Sequence, residues 1–241
     1  MKQKRMYLWM YLEWLRTRTA FFVLVGLSIA LLATEALKLS RELPYFYHGL
    51  LIGYQQLLPF CAALLLAAGI VSDDRQNRTM VQHLALPISR DRMWWSRLLF
   101  RLLLFIVFHA YWLLVVVPST YYTYRGLFAI FHDLHSAYYM VLTSFLFFAT
   151  TVFFAVLLGH LVPALVGGCS LGVGILLIMQ QAFPHHGPGA YVFALGVLVV
   201  LVLAGRDLFV GGLPLDYRSL WPRALAWIGG IALLSGGALM A

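Results

Sequence analysis

Seven apolar stretches, each close to the length of a membrane-crossing helix, constrain this chain more than any other feature. They fall at about 20–37, 50–71, 98–117, 138–158, 162–182, 190–205 and 222–240. A bilayer's hydrocarbon core takes roughly 20 apolar residues as helix. Lipid offers no partners for backbone N–H and C=O groups, so a spanning segment must satisfy them itself. A membrane β-strand would show about 10 residues of strict alternation. Runs such as 62–70 and 195–204 do not alternate, so the segments read as helices. The stretch 190–205 is the shortest and 222–240 is rich in glycine. The expected fold is therefore all-α: a single transmembrane helical bundle over 1–241, with six core spans and a seventh at 222–240.

Composition removes the rival classes. Of the 241 residues, 62% are hydrophobic and 11% charged, with a mean hydropathy of +0.85. Soluble domains carry about 25% charged residues, and a soluble surface cannot absorb so large an apolar excess. Disorder needs low hydrophobicity and high charge. The 17 Lys+Arg outnumber the 9 Asp+Glu, for a net charge of +8. In a membrane chain that excess marks cytoplasmic loops, not nucleic-acid binding. With the N-terminus in the cytoplasm and alternating spans, every Lys and Arg except Lys38, Arg41 and Arg125 falls on the cytoplasmic side. Cys61 and Cys169 lie inside apolar runs and read as small core residues, neither a disulfide nor a metal pair.

The N-terminus has a basic start, but its apolar run begins only near Ala20 and no A-x-A site follows before Glu35. It reads as retained, not as a signal peptide. Residues 5–19 interleave Met6, Tyr7, Trp9, Met10, Trp14 and Leu15 with Arg5, Glu13, Arg16 and Arg18. That mixture predicts an interfacial helix in the headgroup layer, before the chain turns into the first span.

The segment 72–97, SDDRQNRTMVQHLALPISRDRMWWSR, is the longest polar interruption and falls on the cytoplasmic side. Residues 79–86 can form two helical turns. Asp73 and Asp74 precede them, where acids complement a helix N-terminus, and Asn77 or Thr79 can cap it. Pro87 stops it, because proline disfavours helical geometry in the residue before it. Ser89 or Asp91 starts the next helix, whose Trp94 and Trp95 are expected at interface depth. The product is a short cytoplasmic helix between two membrane helices, with Met80, Val81, Leu84 and Leu86 among Gln82 and His83.

This segment resembles the first cytoplasmic loop of permeases of the type-2 ABC exporter superfamily. Asp73, Asp74 and Arg75 match the acidic opening, and Thr79 lies eight residues before Pro87, as in the family pattern. Leu86, Pro87, Ile88, Ser89 and Arg90 match the closing motif, and Arg97 stands where a Lys is usual. Arg78 replaces the usual glycine and Gln82 a usual Glu. The seventh stretch departs from the usual six spans.

The resemblance implies a bacterial or archaeal cytoplasmic-membrane protein in which two permeases, identical or homologous, form a pathway. Each inserts a coupling helix, here 79–86, into a cytoplasmic ATPase subunit, of which there are two. Asp73, Asp74, Arg75, Thr79, Gln82, Leu84, Leu86, Pro87, Ser89, Arg90 and Arg97 are then the ATPase-coupling residues. ATP and Mg would belong to the partner: this sequence has no G-x-x-x-x-G-K-[ST] loop and no expected cofactor of its own.

Other candidates are weaker. His132 and His135 share a helical face beside Asp133, but no third metal ligand lies nearby, and His185 and His186 precede a Gly-Pro turn. No catalytic motif or metal site is expected. Gln55, Gln56, His109, Gln180 and Gln181 lie within or at the ends of apolar spans, where polar groups are costly. They either bond one helix to another or line a pathway. Arg101 is expected to snorkel to the cytoplasmic surface, and Gly167, Gly168, Gly172 and Gly174 to permit close helix packing. Two other functions share the composition: an ATP-independent transporter or channel, and a membrane-embedded enzyme.

Overall fold

The computed structural model describes residues 2–36, 57–70, 89–116, 129–183, 188–211 and 217–240. Every element among them is helical. We label them α1 (Lys2–Ala36), α2 (Leu57–Ile70), α3 (Arg90–Tyr111, extended by a π-helical turn at Trp112–Val116), α4 (Ala129–Leu158), α5 (Leu161–Ala182), α6 (Pro188–Gly211) and α7 (Tyr217–Met240). Four stretches are long and apolar enough to cross a membrane: Arg90–Val115, Tyr139–Leu158, Leu161–Ala182 and Gly189–Gly211. The weak stretch at 190–205 is thus part of a full-length helix, because α6 continues through Arg206 and Asp207. Thr17–Ala30 and Leu57–Ile70 are shorter apolar helices. In α7, Pro222, Arg223 and four glycines dilute the apolar run, and it is not among the four.

The N-terminal segment differs from expectation. Residues 5–19 and the first apolar stretch form one continuous 35-residue helix, with no turn between them. No glycine or proline stands at the junction, and the Thr17 hydroxyl donates to the Glu13 carbonyl one turn back, at 2.8 Å. At 1.5 Å per residue the helix is roughly 50 Å long, well beyond the hydrocarbon core.

Helix α4 is the axis of the bundle and packs on α5 and α6. Its aromatic and branched residues Phe147, Phe148, Val152, Phe153 and Val156 are buried. Gly159 ends α4 with φ 68°, a left-handed conformation open to glycine at little steric cost. Its N–H donates to the Ala155 carbonyl at 3.0 Å, the single-bond form of a helix C-cap. Residues 159–160 complete the turn into α5. The two helices then lie close along a glycine face. A Cβ on Gly168 would stand 2.7 Å from Thr151 Cα, and one on Gly172 2.9 Å from the Phe147 ring. The Thr150 hydroxyl reaches the Gly168 carbonyl across this contact at 2.9 Å. Helix α6 presents a seam of Ala190, Ala194, Val197, Leu201, Ala204 and Leu208, all buried, at the alternating three- and four-residue spacing of a packed helix face.

One smaller expectation also changes in part. Both cysteines are free thiols: Cys61 is exposed and so not a core residue, whereas Cys169 is partly buried against the core. Trp94 is fully buried within the bundle, near the start of α3. Its ring lies 5.4 Å from Phe209 and covers Gly205, where a Cβ would meet it at 3.0 Å.

Candidate functional site

The acidic side chains described, Glu13, Asp91 and Asp207, all pair with arginines at one end of the bundle. At the centre of that end is a buried cluster. Arg97 and Arg101 are four residues apart and so share a face of α3. Their side chains, like that of Glu13, are no more than 2% exposed. Glu13 Oε1 lies 3.5 Å from Arg97 Nε, and Glu13 Oε2 lies 3.6 Å from Arg101 Nη2. The same guanidinium groups donate to backbone carbonyls of α2: Arg97 Nη1 to Ile70 at 3.2 Å, Arg101 Nη1 to Leu66 at 2.9 Å, and Arg101 Nη2 to Gly69 at 2.8 Å.

Removing charge from water costs several kcal/mol per ion unless partners replace the solvent. Here the replacement is shared between one carboxylate from α1 and three carbonyls from α2. Arg101 therefore does not snorkel to the surface: its environment supplies inside the bundle what water would supply outside. The cluster joins three helices. It fixes the last residues of α2 and the third and fourth turns of α3 to each other and to α1. Those are the two roots of the polar loop singled out from sequence.

A second set of contacts ties the start of α3 to α6, and α6 to α7. Ser89 caps α3, its hydroxyl accepting from the Arg92 N–H at 3.4 Å. Arg90 donates to the Val210 carbonyl of α6 at 3.4 Å. Asp91 pairs with Arg206 at 2.6 Å. Asp207 accepts from the Trp227 indole N–H at 3.1 Å and stands 3.8 Å from Arg223. These side chains are 43–47% exposed where they pair as ions.

His109 lies deeper, between α3 and α4. Its Nδ1 is 2.9 Å from the Phe105 carbonyl and its Nε2 2.7 Å from Ser144 Oγ, which is also 2.7 Å from the Val141 carbonyl. The rings of Phe105 and Phe145 enclose it, at 4.0 and 5.9 Å. Both His109 and Ser144 are buried. The pair links two helices and offers no open surface to a substrate. Gln180 and Gln181 are exposed at the far end of α5.

Of the residues singled out from sequence, the structure brings Ser89, Arg90 and Arg97 to one end of α3 and places His109 in the helix interface. Asp73, Asp74, Arg75, Thr79, Gln82, Leu84, Leu86 and Pro87 lie outside the described residues, as do Gln55, Gln56, His185 and His186. His132, Asp133 and His135 fall within α4. Among the described residues no group of three metal-ligating side chains occurs. The sequence offered Asp91 only as a helix start and gave no ion-pairing role to Glu13, Asp91, Arg206 or Asp207. The available signal was that Glu13 is the sole acid before Glu35, set in a helix of aromatic and basic residues. No protein-family description, curated protein or solved structure matches the chain.

Proposed function

We propose that this chain is the permease subunit of a type-2 ATP-binding cassette exporter in a bacterial or archaeal cytoplasmic membrane. It works beside a second permease, identical or homologous, and two ATPase subunits that consume ATP and Mg. Its N-terminus and the loop 72–97 face the cytoplasm, and residues 79–86 dock on the ATPase.

The observation that carries this reading is the anchoring of the loop's two roots. A push on a cytoplasmic helix does work on a membrane bundle only if the chain on either side is stiff. Arg97 and Arg101 bind the end of α2 and the start of α3 to Glu13 of α1, and Asp91 passes the same displacement to Arg206 of α6. A displacement of the loop then moves helices as bodies, through packed and hydrogen-bonded contacts. The four long apolar helices supply the membrane part, and the sequence resemblance supplies the partner.

The test is the double substitution Leu84→Asp and Leu86→Asp, made in the full chain co-expressed with a candidate ATPase subunit. Charge buried at that contact would cost several kcal/mol if unpaired. The variant is expected to insert and to unfold at the wild-type temperature, but to lose the ATPase on purification and to lose transport. Retention of a stoichiometric ATPase with full transport refutes the reading. Robust ATP turnover by the isolated chain would refute it independently.

A further inference from the structure

Helices α4 and α6 run side by side in parallel register. A Cβ on Gly205 would stand 3.7 Å from Val152, and one heptad earlier on each helix Phe145 and Leu198 line a common cavity. That cavity has a volume of about 640 Å³ and is walled by Val141, Leu142 and Phe145 of α4 and by Tyr191, Leu195 and Leu198 of α6. On each helix the spacing is that of one face. The cavity is therefore a cleft that follows both helices for about two turns, or roughly 10 Å. Small-ligand sites between the helices of bundles span roughly 300–1,000 Å³.

The cleft lies in the half of the bundle away from the arginines and opens sideways. Helix α3 meets α6 at the arginine end, through Trp94 on Phe209, Asp91 on Arg206 and Arg90 on Val210. Leu195 both lines the cleft and belongs to the exposed apolar face of α6, with Val192 and Val199. The cleft is thus continuous with the surface that these long apolar helices turn to the hydrocarbon. Packed helices stand roughly 8–10 Å apart, and a helix with its side chains is about 10–12 Å across. A third helix can lie across the rim of such a cleft but cannot enter it, whereas an unbranched hydrocarbon chain can. Five of the six walls carry no polar atom. The sixth, Tyr191, lies near the start of α6, and Tyr139 precedes Val141 near the start of the α4 span. Tyrosines favour the level at which lipid chains join their headgroups, so the cleft begins at the depth where the tails begin.

We propose that this cleft is a binding site for one acyl chain of a bilayer phospholipid. The chain lies against Phe145 and Leu195, between α4 and α6, with the glycerol region of the lipid at Tyr191. The walls on both sides distinguish this site from the single exposed faces that lipid wets elsewhere. The proposal does not rest on the exporter reading, and its test needs no ATPase.

The experiment uses the full chain in phosphatidylcholine vesicles that contain a trace of phosphatidylcholine with a diazirine on one acyl chain. Irradiation joins that chain to whatever it touches, and the adducts are located by mass spectrometry. Adducts are expected to concentrate on Val141, Phe145, Leu195 and Leu198 over Leu99 and Leu103, which α3 exposes on a single face. Leu195→Trp fills the cleft, and Val199→Trp adds the same bulk to the same helix outside it. Leu195→Trp is expected to abolish the cleft adducts and to leave those on α3 unchanged. Val199→Trp is expected to change neither, and both variants to unfold at the wild-type temperature. Equal labelling of the cleft and of α3 in the unsubstituted chain means bulk lipid only and overturns the site. So does persistence of the cleft adducts in Leu195→Trp. A second copy is the other possible occupant. Leu195→Cys, combined with Cys61→Ala and Cys169→Ala, is expected to stay monomeric on oxidation. A disulfide-linked dimer as the main product would put a second chain over the cleft and overturn the proposal.

Discussion

Two groups of ion pairs stand at the same end of the bundle and are built on different terms. In the first, Glu13 meets Arg97 and Arg101 with almost no exposure, at 3.5 and 3.6 Å, and three carbonyls of α2 accept hydrogen bonds from the arginines. In the second, Asp91 meets Arg206 at 2.6 Å and Asp207 faces Arg223 at 3.8 Å, with nearly half of each side chain exposed. The shortest pair is in the exposed group, so distance alone does not rank them. What ranks them is the fate of a charge whose partner is lost. An exposed arginine is rehydrated at once, whereas a buried one keeps its desolvation cost. The buried group therefore fixes where three helices meet, and the exposed group adds weaker, hydrated links from α3 to α6 and from α6 to α7.

The sharpest way to break the contrast is Glu13→Gln. It keeps the shape of the side chain and removes the carboxylate from between two buried guanidinium groups. Breaking one side of a buried ionic group costs about 3–5 kcal/mol. That loss is expected in denaturant unfolding of the detergent-solubilised protein. A loss under about 1 kcal/mol, the range of exposed pairs, would show that the cluster is solvated.

Replacing all three members by methionine is the next step down. Apolar replacement of a buried ionic group is often neutral, so the triple variant is expected to recover most of the stability lost in Glu13→Gln. If it is no more stable than Glu13→Gln, the carbonyl bonds to α2 and not the ion pairs dominate the cluster.

Asp91→Asn should have a smaller effect, at most about 1 kcal/mol, because an exposed pair yields little net energy. The smallest expected effect is that of salt. Raising ionic strength from about 0.15 to about 1 M shortens the screening length from about 8 to about 3 Å. That should erase the difference between wild type and Asp91→Asn and leave the Glu13→Gln deficit intact. Equal sensitivity of the two deficits would place both groups in water.

The contrast also separates what a linear reading can reach from what it cannot. The long apolar helices were legible because lipid imposes length and backbone self-sufficiency on each segment separately. Local rules leave Ser89 and Asp91 both open as the start of α3, and the structure puts the cap at Ser89. Arg97 was visible as a motif position, but Glu13 was not visible as its partner. Their pairing depends on how α1 lies across α3, and no local pattern encodes that. The same reason accounts for Arg101: its surroundings come from α1 and α2, so its own flanks suggested the surface. The continuous run of α1 is not legible because a shift from mixed to apolar composition looks the same whether or not the chain bends. A helix without glycine or proline at the junction passes through such a shift unbroken. Gly167, Gly168 and Gly172 do permit close approach to α4, whereas Gly174, expected with them, meets nothing within 4 Å; a glycine spacing alone does not say which helix it faces.

The two-residue turn at Gly159 bears on the order in which the molecule is put together. It brings α4 and α5 into register through contacts such as Thr150 to Gly168, 18 residues apart, so little loop entropy opposes their meeting. A chain emerging from its N-terminus can close this hairpin as soon as α5 has been made, before α6 arrives to cover α4 with its alanine-rich seam. The Glu13 cluster instead joins segments far apart in the chain and must wait for α1, α2 and α3 together. Assembly therefore proceeds from two independent starting points, a C-terminal one made by backbone shape and an N-terminal one made by charge. A defect at Gly159 would be felt during synthesis, as an α4 left without its first neighbour, before it was felt in the finished protein.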